Sequence, residues 1–494
     1  MFLKYQKQKL KKIKIRLMKT MTLKGFFLCL VFLLCNATIH AADDLITRQI
    51  TIKLDKAGTL PDKIGSSKKY KITNLKIVGE INGTDWRLIR DMAGRSYKGS
   101  RTSGKLSVLD LSEAKIVSGG DSYYEYGFNC CTHNNSIGNC AFVGCSSLTS
   151  ITLPSDVVSI GDSAFESCSG LTSITLPSGI TSIGEHAFDS CSGLTSITLP
   201  SGVTSIGGHA FESCSGLTSI TLPSGVTSIG SETFRGCSGL TSITLPSGVT
   251  SIGWYAFYEC NGLTSVTLPS GLTSIGDYAF FGCYGLTSIN LPSGLTSIGD
   301  YAFWQCSRLY NLTIPYSVTS IGPEAFRDCG LRNIHYQIDD DIETYLAKGH
   351  LRIPVDCEIE YYLNDKKMSS SVVIPSTITQ LGKYVFQNFR DLTSVTVSWQ
   401  SPIPVGTAFQ GVDESKCTLY VPQGTRQDYW LSDAWGDFGE IIEYDPTGID
   451  KVTISNDAKE LSRYSVNGQQ LAAPTKGLNI VKYSDGSVKK VVVQ

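Results

Sequence analysis

Cysteine is the residue type whose spacing most clearly invites chemistry in this chain. Nine cysteines recur every 23 residues. If the chain folds into stacked 23-residue segments, the Cα atoms of equivalent cysteines would lie about 4.8 Å apart, which is within disulfide range. However, nine side chains pointing the same way cannot all pair, and one cysteine per segment lacks the CxxC spacing of a zinc site. We therefore predict a reduced, buried column that binds no metal. The column recurs every 23 residues without a slip at Cys145, Cys168, Cys191, Cys214, Cys237, Cys260, Cys283, Cys306 and Cys329.

Outside this column, few residues are spaced for chemistry. Cys130, Cys131 and Cys140 precede it and are the better disulfide candidates. His186 and His209 occupy equivalent positions one segment apart, which allows a metal-binding pair but also two exposed turn residues, the interpretation we favour. Gly-x-Ser-x-Gly, phosphate-loop and HExxH motifs do not occur. The sequence therefore predicts no enzyme activity, no catalytic residues, no cofactor and no metal.

A repeating unit of 23 residues must position these side chains. One unit begins with Leu171-Thr-Ser-Ile-Thr-Leu-Pro177, in which alternating apolar residues predict a short strand that proline ends. A second apolar pair in Ile180-Thr-Ser-Ile-Gly184 predicts another strand, with the glycine permitting a turn. Ala187-Phe188-x-x-Cys191 is too short for a stable helix and predicts a tight turn that closes the coil. The repeat predicts an all-β-rich solenoid with short parallel strands and little helix, capped at both ends.

Two positions of the repeat are expected to face outward, the second residue after Ile-Gly and the residue directly after Ala-Phe, and their residue types change along the chain. Acidic, small or histidine side chains such as Glu166, Asp189 and Glu212 occupy them in the early units, whereas aromatic residues occupy them later. Clustered exposed aromatic side chains favour contact with a ligand. The alternatives are that they shield one another or contact residues 337–372. The candidate ligand-binding residues are Trp254, Tyr255, Tyr258, Tyr278, Phe281, Tyr284, Tyr301 and Trp304.

The N-terminal residues have the order of a secretory signal. Residues 1–42 hold nine of the 43 basic residues and no acid, and they contain an apolar run, Gly25–Cys35, followed by Ala41-Ala42. The run is about half the ~20 residues that span a bilayer, so we expect no transmembrane span in the mature chain. Met18 or Met21 is an alternative start, and acylation at Cys35 is a weaker alternative. Without this segment, 34 basic residues face 44 acidic ones, and the net charge of −10 argues against a nucleic-acid partner.

The repeats resemble those of the BspA-like (Bacteroides-type) leucine-rich repeat surface proteins. The residues that carry the resemblance are the Leu-Thr-Ser-Ile-Thr-Leu-Pro-Ser-Gly and Ile-Gly-x-x-Ala-Phe-x-x-Cys segments, which extend over about residues 136–336. The resemblance implies a secreted or cell-surface protein that is adhesin-like and binds host matrix proteins or other cells. Separately, three β-like runs near the C-terminus resemble the small sorting domain of Bacteroidetes surface proteins, which implies attachment to the outer-membrane surface; the runs are Tyr464–Gly468, Gly477–Val481 and Lys489–Val493.

This comparison suggests a division of the chain into five parts. In the region before the repeats, segments such as Asn82-Gly-Thr-Asp85 and Leu106–Leu111 alternate like strands, and three β-like runs follow residue 449. The predicted parts are a signal peptide (1–42), an N-terminal β-rich cap region (43–127), the solenoid (128–336), degenerate repeats with a C-terminal cap (337–444) and a small β tail (445–494).

These observations leave three hypotheses about function. The first is a surface protein that binds an extracellular protein. The second is a glycan-binding surface protein for carbohydrate capture, which would be favoured if the aromatic residues formed a flat platform. The third, an enzyme, would need a catalytic constellation in residues 337–444, and no motif indicates one.

Overall fold

The computed structural model describes residues 45–125, 130–338, 340–350, 352–355, 357–363, 366–445, 460–465, 470–474, 476–483 and 488–493. The predicted signal peptide, the alternative start residues and Cys35 lie outside this described part. The chain forms two compact units. The first comprises residues up to Gly294 together with Ile298–Leu309 and Gly322–Gly330, and the second comprises Leu295–Ser297, Tyr310–Ile321 and the residues from Leu331 onward.

The solenoid of the first unit is built from two rows of short parallel strands, as the repeat predicts. Equivalent residues face each other in both rows, so that Ile151 pairs with Ile174 and Ile183 with Ile206. The first row comprises Ser150–Thr152, Ser173–Thr175, Ser196–Thr198, Ser219–Thr221, Ser242–Thr244, Ser265–Thr267 and Ser288–Ile289. The second comprises Ser136–Ile137, Ser159–Ile160, Ser182–Ile183, Ser205–Ile206, Ser228–Ile229, Ser251–Ile252 and Ser274–Ile275, and the series continues along the chain with Ser297–Ile298 and Ser320–Ile321.

A column of phenylalanine rings fills the centre of the solenoid. From Phe142 to Phe326 each ring stacks on the next, with centroids 5.2–5.7 Å apart. The alanine before each phenylalanine, where present, is also buried, as are the strand isoleucines that face inward. A single coil buries too little apolar surface to offset its conformational entropy, and stacking supplies the remainder.

The cysteine column lies beside the phenylalanine column. From Cys168 to Cys329 each thiol donates a hydrogen bond to the carbonyl of a phenylalanine in the preceding coil, at 2.9–3.2 Å. None of the 14 cysteines in the described part of the chain forms a disulfide. Eight residues of the column are buried and Cys329 is half-buried. Burial raises the pKa of Cys145 to about 11 and that of Cys214 to about 12, so these thiols stay protonated and unreactive at neutral pH.

Thiol labelling of the native protein therefore has a specific expected outcome. Exposed Cys131 reacts at once, whereas the eight buried thiols of the column react only after denaturant is added. Cys329 is expected to react at an intermediate rate. Mass mapping of the labelled peptides measures all of these sites in one sample. Disulfide-linked peptides within Cys168–Cys329, or rapid labelling of the buried thiols, would contradict the structure.

The proposed disulfide candidates lie close together without a covalent bond. Cys130 is buried, Cys140 is half-buried and Cys131 is exposed. The side chains of Cys130 and Cys140 are hydrogen-bonded, and this bond lowers the pKa of Cys130 to about 7. The structure therefore shows no disulfide among these three cysteines.

In the turn that closes each coil, the residues with a left-handed backbone conformation are not where the sequence predicts them. The sequence predicts that the glycine of each Ile-Gly pair allows a turn. At Gly184 the structure shows a different reason for glycine: the backbone of the preceding coil lies so close that a Cβ would be 2.5 Å from Gly161. Left-handed residues come at two places after this glycine: two positions later, as at Ser163 (φ 54°) and His186 (φ 52°), and six positions later, as at Ser190 (φ 58°) and Gly236 (φ 68°). Because their amides donate to carbonyls of the following coil, the conformation is fixed by stacking.

The region before the repeats contains strands Ile50–Lys53, Asn74–Ile81, Val108–Ile116, Gly119–Tyr124 and Cys130–Thr132, and helices α1 (Leu60–Lys63) and α2 (Gly83–Met92). The prediction that Asn82–Asp85 is strand-like was wrong. Asn82 is instead the N-cap of α2: its side chain accepts from the Thr84 amide at 3.1 Å, and Asp85 accepts from the Asn82 amide at 2.9 Å.

Side chains of this region hydrogen-bond to backbone carbonyls of the first coil, which has no preceding coil to pair with. In later coils the carbonyls equivalent to Asn139, Ala141 and Val143 accept amides of the preceding coil, as the Phe142 amide donates to Ala164. Here side chains replace that coil: the Tyr123 hydroxyl donates to Asn139 and the Trp86 indole to Ala141. The fully buried Arg90 guanidinium donates to Ala141 at 2.9 Å and to Val143 at 3.3 Å. The carbonyls of the first coil, which have no preceding coil to accept amides from, are thus hydrogen-bonded to side chains.

The second unit contains further parallel strands and two helices, α3 (Ile342–Lys348) and α4 (Arg426–Trp430), with a short 3₁₀ helix at Glu414–Lys416. Aromatic residues Phe409, Tyr429, Trp435 and Phe438 form one cluster with ring centroids 5.5–5.8 Å apart. The strands are Asn311–Ile314, Asn333–Ile338, Glu358–Leu363, Lys366–Lys367, Ser371–Ile374, Ser394–Val397, Thr418–Pro422 and Glu440–Tyr444.

The C-terminal residues of the second unit form a separate sheet. Its four antiparallel strands are Gln470–Leu471, Glu460–Ser465, Gly477–Tyr483 and Val488–Val493, in that spatial order. No helix in the described ranges is long and apolar enough to cross a membrane.

Candidate ligand-binding surface

Three tyrosines of consecutive coils form a stacked ladder. The ring centroids of Tyr255 and Tyr278 are 4.6 Å apart, and those of Tyr278 and Tyr301 are 4.8 Å apart, with the planes tilted by 2° and 17°. The backbone spacing of the coils sets this separation, because the amide of each tyrosine is bonded to the following coil. The ladder is therefore built on the most regular part of the fold.

The backbone at these tyrosines is left-handed, with φ 54° to 56° at all three positions. Side chains with a Cβ are disfavoured in this region, and bulky ones are uncommon there. The equivalent position in other coils holds Ser163 or Glu232, so the fold itself does not require an aromatic residue. The backbone alone therefore does not explain three successive tyrosines at this position.

A second ladder runs beside the first. Tyr258 stacks on Phe281 with ring centroids 4.7 Å apart, and Trp304 meets Phe281 edge-on at 5.2 Å. Contacts between the ladders lie within the coils, at 5.2 Å for Tyr255–Tyr258 and 4.9 Å for Tyr301–Trp304. With Trp254 and Tyr284, the two ladders make up what we call the aromatic surface: Trp254, Tyr255, Tyr258, Tyr278, Phe281, Tyr284, Tyr301 and Trp304.

The structure thus brings together all eight residues selected from the sequence, but it exposes them unequally. Trp254 and Tyr284 are 53% and 45% exposed, whereas the six ladder residues are half-buried. Both faces of the Tyr278 ring are covered by its neighbours in the ladder. The alternative that the rings shield one another is therefore correct for the stacked faces, and because those faces are covered, the exposed part of a half-buried stacked ring is its edge.

Charged residues border the aromatic surface at both ends. The Arg235 guanidinium lies 5.2 Å from the centroid of Tyr258, and that of Arg327 lies 5.4 Å from the centroid of Trp304. The Trp304 indole donates to Asp328 at 2.9 Å. The sequence shows both arginines in the second outward column, but only the coil geometry reveals that they close the ends of the ladders. These contacts hold the terminal rings in place.

The earlier coils carry a different cluster on the same two columns. The rings of His186 and His209 stack with centroids 4.2 Å apart. Each histidine faces a carboxylate three residues later, with Nδ1 of His186 3.1 Å from Asp189 Oδ2 and Nδ1 of His209 2.7 Å from Glu212 Oε2. Sequence reasoning placed the two histidines in one column but missed these partners, which the spacing of three residues could have indicated.

A second group of acidic residues lies in the other unit. Glu358, Glu360 and Asp391 have oxygen atoms within 4.8 Å of one another. Lys367 lies among them, 2.5 Å from Glu360 and 2.8 Å from Asp391, and hydrogen bonding to this ammonium lowers the pKa of Glu360. Lys367 offsets part of the negative charge of this cluster by bridging two of its three carboxylates, which is consistent with a structural ion-pair network.

The repeat pattern decides the family of the protein. Six copies of the BspA type leucine rich repeat region match residues 122–241, 227–349 and 358–419, which is more than half of the chain. The chain belongs to this BspA-type leucine-rich repeat family. Proteins built from such repeats are typically non-enzymatic binding proteins. No curated protein sequence matches this BspA-type chain significantly.

Several solved bacterial structures are similar to this BspA-type protein. A leucine-rich repeat protein from Bacteroides ovatus ATCC 8483 is 25% identical, with 69% of this chain and 84% of that chain covered and a TM-score of 0.44. The T. pallidum leucine rich repeat protein is 38% identical over 33% of this chain and 78% of that one, with a TM-score of 0.31. A leucine rich cell surface protein from Faecalibacterium prausnitzii A2-165 is 26% identical, covers 60% and 91%, and has a TM-score of 0.26.

Proposed function

We propose that this chain is a secreted or cell-surface leucine-rich repeat protein that binds another extracellular protein through the aromatic surface, in an adhesin-like role. The observation that supports this proposal most strongly is the pair of stacked aromatic ladders at positions where other coils hold acidic or small residues. Tyrosine, tryptophan and arginine are the residue types that dominate protein interfaces. They combine here in one continuous patch on a solenoid, a fold that presents extended surfaces.

The orientation of the rings favours a protein ligand over a glycan. A sugar stacks on the open face of an aromatic ring, whereas Tyr255, Tyr278 and Tyr301, and likewise Tyr258 and Phe281, stack face to face; Trp304 is the ladder residue that meets its neighbour edge-on. The exposed edges of the stacked rings, with the tyrosine hydroxyl groups, suit apolar contacts and hydrogen bonds with a protein. Trp254, at 53% exposure, is the residue through which a glycan would bind if the alternative function were correct.

The proposed location rests on the two ends of the chain. The signal-like order of residues 1–42 supports secretion. The four-stranded C-terminal sheet is compatible with a small module that attaches the chain to the outer-membrane surface.

Parallel binding assays test the proposed function. The whole mature chain is applied to immobilised extracellular matrix proteins and to a glycan array under identical salt and pH. We expect saturable binding to at least one matrix protein and background signal on the glycans. Binding confined to glycans would replace the proposal with the carbohydrate-capture alternative, and saturable binding to neither panel would remove the support for an adhesin-like role.

A further inference from the structure

The histidine cluster on the early coils has the composition of a metal site. One nitrogen of His186, one nitrogen of His209 and one oxygen of Glu212 lie within 4.8 Å of one another. These residues come from two neighbouring coils, so the coil spacing brings the two imidazoles together. Glu232, from a third coil, adds a carboxylate oxygen 3.7 Å from Nδ1 of His209.

We propose that His186, His209 and Glu212 bind a divalent transition-metal ion of the zinc class. Imidazole nitrogens and a carboxylate oxygen are the donor set that Zn²⁺ accepts in three-ligand protein sites, in which water completes the coordination. Asp189 lies 3.1 Å from Nδ1 of His186 and orients that ring, which leaves Nε2 as the nitrogen of His186 for the metal, as in histidines held by a carboxylate partner. The site is separate from the aromatic surface, which begins at Trp254.

The side chains can reach tetrahedral geometry by small movements. Metal–donor bonds of about 2.0–2.1 Å place tetrahedral donors about 3.3 Å apart. The pair formed by His209 and Glu212 is already closer, at 2.7 Å, and the remaining separations are at most 4.8 Å. The two stacked rings must tilt so that their nitrogens converge. With side chains 38% and 28% exposed, His186 and His209 have room for this tilt.

The local charge also favours a dication. Three carboxylates, those of Asp189, Glu212 and Glu232, surround the two imidazoles. Arg235 is the cation that faces them, 2.5 Å from Glu232 and 3.7 Å from Glu212. Three carboxylates and one guanidinium give the cluster a net charge of about −2, and a bound Zn²⁺ would balance this charge.

Calorimetric titration of metal-free protein with zinc chloride tests the proposal. Exposed Cys131 is first alkylated so that its thiol does not contribute. We expect one equivalent of Zn²⁺ to bind, and we expect His209→Ala and Glu212→Gln each to weaken the affinity at least tenfold. The matched control is His133→Ala, which removes one exposed histidine elsewhere and should leave the affinity unchanged.

Circular dichroism tests whether each variant keeps its fold, which we expect because His133 is exposed and the His209 and Glu212 side chains are partly exposed. Failure of the wild-type protein to bind zinc overturns the proposal. Equal affinity in the wild-type and His209→Ala proteins also overturns it, because the ion would then lie elsewhere. Either result leaves the proposed role of the aromatic surface untouched, since that surface shares no residue with this site.

Discussion

Replacing Phe257 with alanine is expected to lower the free energy of unfolding by about 3–5 kcal/mol. Its ring is fully buried and stacks on Phe234 at 5.4 Å and on Phe280 at 5.2 Å. The substitution removes both contacts and leaves a cavity that the neighbouring coils can close only by breaking their regular spacing. Urea denaturation monitored by circular dichroism measures the change.

The matched control for this substitution is Thr244→Ala in the same coil. Thr244 lies on the exposed side of its strand, where Ile243 occupies the buried side. Its replacement should change the free energy of unfolding by no more than about 0.5 kcal/mol. A loss at Thr244 comparable to that at Phe257 would mean that the inward and outward faces of the strand have been assigned incorrectly.

The core of the solenoid could be predicted from sequence because it depends on periodicity alone. Alternation of Ile174 with Thr175 fixes which side chain faces inward, and the constant 23-residue period stacks each residue on its equivalents. Ala187, Phe188 and Cys191 are the apolar members of the turn and recur with the same period, so their burial follows from the same argument. The family, the coil architecture and the short parallel strands were all predicted and are confirmed.

The details that sequence missed depend on contacts between coils. The left-handed conformation at Ser163 and its equivalents arises from hydrogen bonds to the next coil, which no local pattern encodes. Helix α2 was missed because Asn82-Gly-Thr-Asp85 was interpreted by strand alternation, although asparagine followed three residues later by an acidic residue also fits a helix N-terminus. The buried Arg90 has no sequence signature, since its partners are three backbone carbonyls about 50 residues later.

For the aromatic surface, the residues that take part could be predicted from the repeat period, but the orientation of their rings could not. The period places Tyr255, Tyr278 and Tyr301 in one column, so their proximity was predictable. Whether the rings present faces or edges depends on side-chain rotation, which only the structure shows. That distinction separates the two proposed ligand classes, because a platform of open faces would have favoured glycans.

Changing Tyr278, Tyr301 and Trp304 together to serine is expected to abolish binding of the protein ligand, with a loss of affinity of at least 100-fold. These residues take part in both ladders, so their loss removes the edges and hydroxyl groups that we propose to contact the partner. A few rigid aromatic anchors usually supply most of the binding energy of an interface. The melting temperature should fall only slightly, because the rings are half-buried and lie outside the phenylalanine core.

A matched triple variant on the strand face separates the two surfaces of the solenoid. Thr221→Ala, Thr244→Ala and Thr267→Ala change three exposed strand residues of consecutive coils. They leave the aromatic surface intact, and we expect this protein to bind its ligand with unchanged affinity.

The most direct test of the proposed binding surface is a comparison of the dissociation constants of the wild-type protein and these two triple variants for the matrix protein that the wild type binds. Surface plasmon resonance at one salt concentration provides all three values, and circular dichroism establishes that the variants are folded. The proposal predicts loss of binding in the aromatic variant alone. Wild-type affinity in the aromatic variant, together with loss in the threonine variant, would contradict it and would place the binding site on the strand face.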